Sequence, residues 1–192
     1  MSGAHGHGHI EVEGNNKRIA LLISVLALFL ALVATMAQGA QTDALSYNIE
    51  ASNLWSFFQA KTIRQTVVRT AGEMVDLDRT PKVDPEATDA VAKRTGAWAK
   101  TVARWESEPE TGEVRKELIA RAKVAEEKRD TATAKHHHYE ISSAAFQIAI
   151  VLASATVITG AIALTWLSIG LGVVGLIFAG IGLLAPHAIH LL

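Results

Sequence analysis

The sequence predicts an all-α protein. It should have three transmembrane helices and a long extramembrane helical hairpin, coiled-coil-like, between the first and the second. Three observations carry that prediction. Apolar stretches at Ile19–Ala37, about Ala144 to Leu164 and about Leu167 to Leu184 are each long enough, at ~1.5 Å per residue, to cross a hydrocarbon core of ~30 Å. Each stretch carries small residues at steps of three and four, which keep to one helix face. The segment between the first and second stretches has helical periodicity and no strand alternation.

In the first stretch the small residues are Ser24, Ala27, Ala31 and Ala34. In the second they are Ala149, Ala153, Thr156, Gly160 and Ala163, and in the third Gly172, Gly175, Ala179 and Gly182. Lipid tails give helices no hydrophobic reason to associate, so close backbone approach over small residues supplies the packing. The stretches thus predict helix packing through Ala27, Ala31, Ala153, Gly160, Gly172, Gly175, Ala179 and Gly182. The second and third should form a tight antiparallel pair, turning near Thr165–Ser168 with Trp166 as an interfacial anchor.

The totals agree. Of 192 residues, 49% are hydrophobic and 19% charged, as apolar spans plus a charged soluble part require. The net charge of -1 argues against nucleic acid as a partner. There is no cysteine, hence no disulfide, thiol nucleophile or thiolate metal site.

Residues 1–16 read as a disordered tail rich in Gly and His. Residues 17–38 form the first span, 39–140 the extramembrane helical domain, 141–165 the second span, 167–188 the third, and 189–192 a C-terminal tail. Thr35-Met36-Ala37 offers a cleavage site, but the apolar run exceeds the ~7–15 residues of a signal peptide, which predicts a retained anchor.

In the extramembrane domain, Phe57, Ala60, Ile63, Val67, Ala71, Met74 and Leu77 form the expected apolar face of a first arm. Pro81 and Pro85 break that arm, and Asp84 or Pro85 opens the next helix. The second arm keeps a rhythm of sevens in Val91, Thr95, Trp98, Val102 and Trp105. A break follows at Ser107–Gly112. The third segment begins near Glu113 with the stripe Leu118, Ala122, Ala125, Arg129, Ala132, His136 and Tyr139, a seam built mostly of alanine. It should run into the second span without interruption. The first arm should likewise continue from the first span, with Gly39 as the only weak point. Trp55, Phe57 and Phe58 form the densest aromatic cluster and are expected in the hairpin seam, the alternative being an oligomer or partner contact.

Lys17 and Arg18 abut the first span, which places the N-terminus in the cytoplasm. Lys128, Arg129 and Lys135 precede the second span and pull the other way, but a loop of about a hundred residues is a poor determinant of orientation.

Histidine is the one suggestive residue type for chemistry. His136, His137 and His138 share a side of the membrane with His187 and His190, and neutral imidazole is a common ligand of zinc, copper and nickel. A divalent-metal site there, helped by Glu140, is the alternative to plain interfacial polarity. His5, His7 and His9 read as a soluble tail. Gln147 is polar but not ionisable, and the three apolar stretches contain no ionisable residue that would mark a proton or ion path. No phosphate loop, metalloprotease motif or nucleophile elbow is present, so no enzyme and no bound cofactor are expected.

The runs Asn16–Leu21, Ala40–Trp55 and Phe58–Arg64 resemble a family of bacterial membrane proteins, domain of unknown function 4337. So do His136–Glu140 leading into Ala144–Gln147, and the closing Ala185-Pro186-His187. The resemblance implies a bacterial plasma-membrane protein with three spans, and no activity, ligand or site. The expected function is a non-enzymatic membrane scaffold or accessory subunit, partnered by lipid and by its own copies or another membrane protein. The alternative is a metal-responsive sensor or transport accessory using His136–His138 and His187/His190.

Overall fold

A computed structural model describes residues 7–77, 85–107 and 115–188. These residues form four α-helices: α1 (His7–Leu77), α2 (Pro85–Ser107), α3 (Arg115–Thr159) and α4 (Ile162–Leu184). The described residues contain no strand. α1, α3 and α4 each hold a segment long and apolar enough to cross a membrane. α1 begins inside the segment read from composition as a polar tail. Residues 1–6 of that tail, the Pro81 and Ser107–Gly112 breaks beyond Ser107, and residues 189–192 lie outside the described residues.

α1 runs through Gly39 and α3 through Tyr139 without interruption. Both continuities were expected, since neither junction carries Pro or a turn cluster. α2 opens on Pro85, whose fixed φ and missing N–H suit a first helical turn.

The chain divides into two compact units. The first comprises Met1–Leu45 with Arg129–Leu192, the second Ser46–Lys128.

In the first unit, α3 and α4 are antiparallel neighbours joined only by Gly160 and Ala161. Gly160 has φ +67°, the left-handed conformation that ends a helix and that a Cβ disfavours. The expected turn at Thr165–Ser168 is thereby corrected. Those residues belong to α4, where Trp166 is exposed. Gly160 serves the turn and not the packing, and an added Cβ there would meet nothing within 4 Å.

Three α4 glycines, Gly172, Gly175 and Gly182, lie under large side chains. A Cβ on Gly172 would come 2.9 Å from Leu26 of α1, and one on Gly182 would come 2.8 Å from Tyr139 of α3. A Cβ on Gly175 would meet the ring of Phe146 at 3.0–3.1 Å. Phe146 is fully buried and stacks on Phe29 with ring centroids 5.9 Å apart. Ala153 is fully buried, while Ala179 packs against the same core. α1 contributes Leu26, Val33, Ala37 and Ala40, not the expected small stripe. Ala27 and Ala31 face outward. Bulk on α1 and α3 fits over glycine on α4, so α1 needs no small residues at this contact.

In the second unit, Ala51 and Leu54 of α1 form a core with Leu118, Ala122 and Ala125 of α3, flanked by Trp55 and Phe58. Trp55 Nε1 donates to Glu126 Oε1 at 2.8 Å, and the Trp55 and Phe58 rings meet edge to face. α2 joins α1 where Trp98 approaches Gly72 and where Arg64 lies over the Trp105 ring at 4.2 Å. The stripe read on α2 and that on α3 are both inward-facing.

The expected apolar face of the first arm is corrected. Phe57, Ala60, Ile63, Val67 and Met74 are exposed. The inward positions are Tyr47, Ala51, Leu54, Phe58, Lys61, Gln65, Val68, Gly72 and Val75, which also recur at steps of four and three. Small Ala51 and Gly72 admit Leu118, the alanines of α3 and Trp98 closely, and the outer residues are too distant from either helix to join.

Candidate functional site

The histidines converge on the end of the first unit where α3 meets the C-terminal end of α4. Two of them, His136 and His138, meet backbone carbonyls, His187 meets a hydroxyl and His137 lies near a carboxylate. A helix end leaves its last carbonyls without intrahelical partners. Beyond the last turn of α4, where the Ala185 N–H still donates to the Ile181 carbonyl, the Pro186 carbonyl points at His138. His138 is almost fully buried, and its Nε2 lies 3.1 Å from that carbonyl. A carbonyl only accepts, so Nε2 carries the proton. Nδ1 is buried with no hydrogen-bond partner. Nearby, His187 Nε2 lies 3.0 Å from Thr131 Oγ1.

His136 reaches α1. Its Nδ1 is 3.0 Å from the Ala37 carbonyl, and its Nε2 is 3.4 Å from Glu140 Oε1. His137 Nδ1 lies 3.7 Å from the other Glu140 oxygen. Together these side chains tie α3 to α1 and to the segment that follows α4.

A zinc ion needs three or four ligands converging at ~2.0–2.1 Å. Among the described residues no group of three or more His, Asp or Glu side chains is placed to hold a metal ion. His136, His137, His138 and His187 are therefore not assembled as the expected metal set. His136, His138 and His187 have a ring nitrogen spent on a carbonyl or a hydroxyl. His190 lies outside the described residues, as do the side chains of His5, His7 and His9.

Two serines missed by sequence reasoning continue the same pattern inside the α3–α4 pair. Ser142 Oγ donates to the Gly175 carbonyl and Ser168 Oγ to the Ala149 carbonyl, each at 2.7 Å and fully buried. Serine in an apolar helix often satisfies its hydroxyl on its own preceding turn, as Ser24 and Ser154 do. Only their placement in the α3–α4 contact, Ser142 on α3 and Ser168 on α4, distinguishes them. Gln147 is exposed, 3.4 Å from Ser143 Oγ.

The described residues are all-helical, with three candidate membrane-crossing helices. Buried Ser142 and Ser168 hydrogen-bond between α3 and α4, while buried His138 reaches the segment after α4. Residues 15–185 match the family described as Domain of unknown function (DUF4337), and the chain belongs to that family. No curated protein and no solved structure matches it.

Proposed function

We propose that this protein is a non-enzymatic, multi-pass protein of the bacterial plasma membrane that self-associates as a scaffold or serves as an accessory subunit of a membrane complex. In this reading the N-terminus is cytoplasmic, α1, α3 and α4 cross the bilayer, and the segment between the first and second spans is an extramembrane helical hairpin. One observation carries the reading. After α1 has packed against α2 and α3, it still leaves Ile49, Ile63, Val67 and Met74 exposed at 60, 63, 61 and 65%. Contiguous apolar exposure outside lipid marks an interaction surface. The buried histidines and serines support a structural role, because their hydrogen bonds go to backbone.

Mass photometry of the full chain in mild detergent tests the proposal. Species larger than a monomer are expected. A monomer at micromolar concentration, together with no protein partner in a pull-down from native membrane, would overturn it.

A further inference from the structure

The exposed face of α1 in the second unit follows a second rhythm of sevens. Ile49, Asn53, Ser56, Ala60, Ile63, Val67, Thr70 and Met74 recur at alternating steps of four and three, and all eight are exposed. None is charged, although Glu50, Lys61, Arg64, Arg69 and Glu73 fall in the same stretch. A repeat of seven in apolar residues is the pattern of a helix that pairs along a seam; Ile49, Ala60, Ile63, Val67 and Met74 supply it here, with Asn53, Ser56 and Thr70 between them. The inward positions of α1 already serve α2 and α3, so this repeat is a second seam without a partner among the described residues.

From this we infer that the Ile49–Met74 stripe of α1 is the contact between two copies of this chain, paired in parallel and in register. The inference rests on the self-associating form of the function proposed above and names its surface. Three arguments select a second copy over another partner. Chains inserted in one orientation present α1 in the same direction, so two such helices meet in parallel. In a parallel, in-register pair each seam residue meets its own counterpart, so any charge on the seam would face its like; here there is none. Flanking positions in such a pair meet five residues apart, which sets Ser52 against Phe57, Gln59 against Arg64 and Thr66 against Ala71, with no like charges opposed.

Asn53 adds the register. In this numbering of sevens it occupies an inner position where a single buried Asn pairs with its counterpart and penalises shifted alignments. The stripe is ~38 Å long, enough for several heptad layers. Its apolar content is modest, so pairing depends on the high effective concentration of neighbours held in one membrane.

The chain has no cysteine, which makes the test clean. Single cysteines are placed one at a time from Ala60 to Met74 in the full-length protein, reconstituted in liposomes and treated with a short bis-maleimide. Dimer yield should peak at positions 60, 63, 67, 70 and 74 and fall several-fold at Arg69→Cys. Val67→Asp, at an exposed position, should lose the crosslink of Ile63→Cys while leaving the helical circular-dichroism signal unchanged. A flat profile, or peaks on the Lys61/Gln65/Val68 side, overturns the inference. If amine-reactive crosslinking of the wild-type chain still yields oligomers in that case, self-association stands and only this surface is wrong. If the wild type remains monomeric in liposomes, the surface and self-association fall together.

Discussion

Gly175 offers the sharpest test of how the first unit is held together. A Cβ at this position would lie 3.0 Å from Cζ and 3.1 Å from both Cε atoms of Phe146. The ring cannot easily withdraw, since it is fully buried and stacked on Phe29. The Ser142 hydroxyl also holds the Gly175 carbonyl at 2.7 Å, which pins the α4 backbone against α3. Gly175→Ala therefore forces a shift of a few tenths of an ångström in a packed layer. Overpacking of this kind costs about 1–3 kcal/mol. Alanine regains up to ~1 kcal/mol over glycine in a helix interior, leaving about 0–2 kcal/mol of destabilisation. Gly175→Leu adds three more carbons to the same contact and should cost ~3 kcal/mol or more. Gly180 lies on the same helix, but an added Cβ there meets nothing within 4 Å. Gly180→Ala should be neutral or slightly stabilising. Equilibrium unfolding in mixed detergent and SDS, followed by circular dichroism, ranks the three variants. Equal stability of Gly175→Leu and wild type, or an equal loss for the two alanine variants, would refute the reasoning.

Further outcomes follow from the same structure. Gly160→Ala should destabilise the α3–α4 turn by about 1–2 kcal/mol through its left-handed φ alone, and the exposed Gly170→Ala serves as the comparison in the same titration. Leu118→Ala removes a side chain that is 1% exposed and should lower stability by about 2–5 kcal/mol, read by denaturant unfolding of the full chain. The protein without residues 1–14 should show no saturable zinc binding by calorimetry; a saturable site lost in His190→Ala would show that His190 completes a ligand set. The intact mass of membrane-extracted protein should include residues 17–37, because Leu26 and Val33 belong to the core of the first unit. A mature N-terminus at Gln38 would contradict this.

Much of the helical framework was legible in the sequence. The sevens of α2 and the alanine-rich stripe of α3 face inward as their spacing requires, and continuity through Gly39 followed from the absence of a breaker. The inner face of α1 was not legible. Two stripes with the same period run along its part in the second unit, and hydropathy favours Ile63, Val67 and Met74 over Lys61, Gln65 and Gly72. What decides between them is close approach to Leu118, Ala122, Ala125 and Trp98, a tertiary fact. Gly160 misled for a related reason. It fits a packing stripe as well as a turn, and only its positive φ distinguishes the two. His136, His137, His138 and His187 lie near the C-terminal end of α4, but the partners of His136 and His138 are backbone carbonyls, which are the same for every residue type and leave no trace in the sequence.

The link between α3 and α4 also bears on how the protein is made. From Ile141 to the C-terminus the chain contains no Asp, Glu, Lys or Arg, and the bend itself is only Gly160 and Ala161. Orientation in a bilayer is set by Lys and Arg flanking the spans. The bend between α3 and α4 supplies none, so in a bilayer it would give the pair no preferred direction. The residues that would set its sidedness there are Lys17 and Arg18 before α1's apolar run and Lys128, Arg129 and Lys135 in α3, ahead of its apolar part.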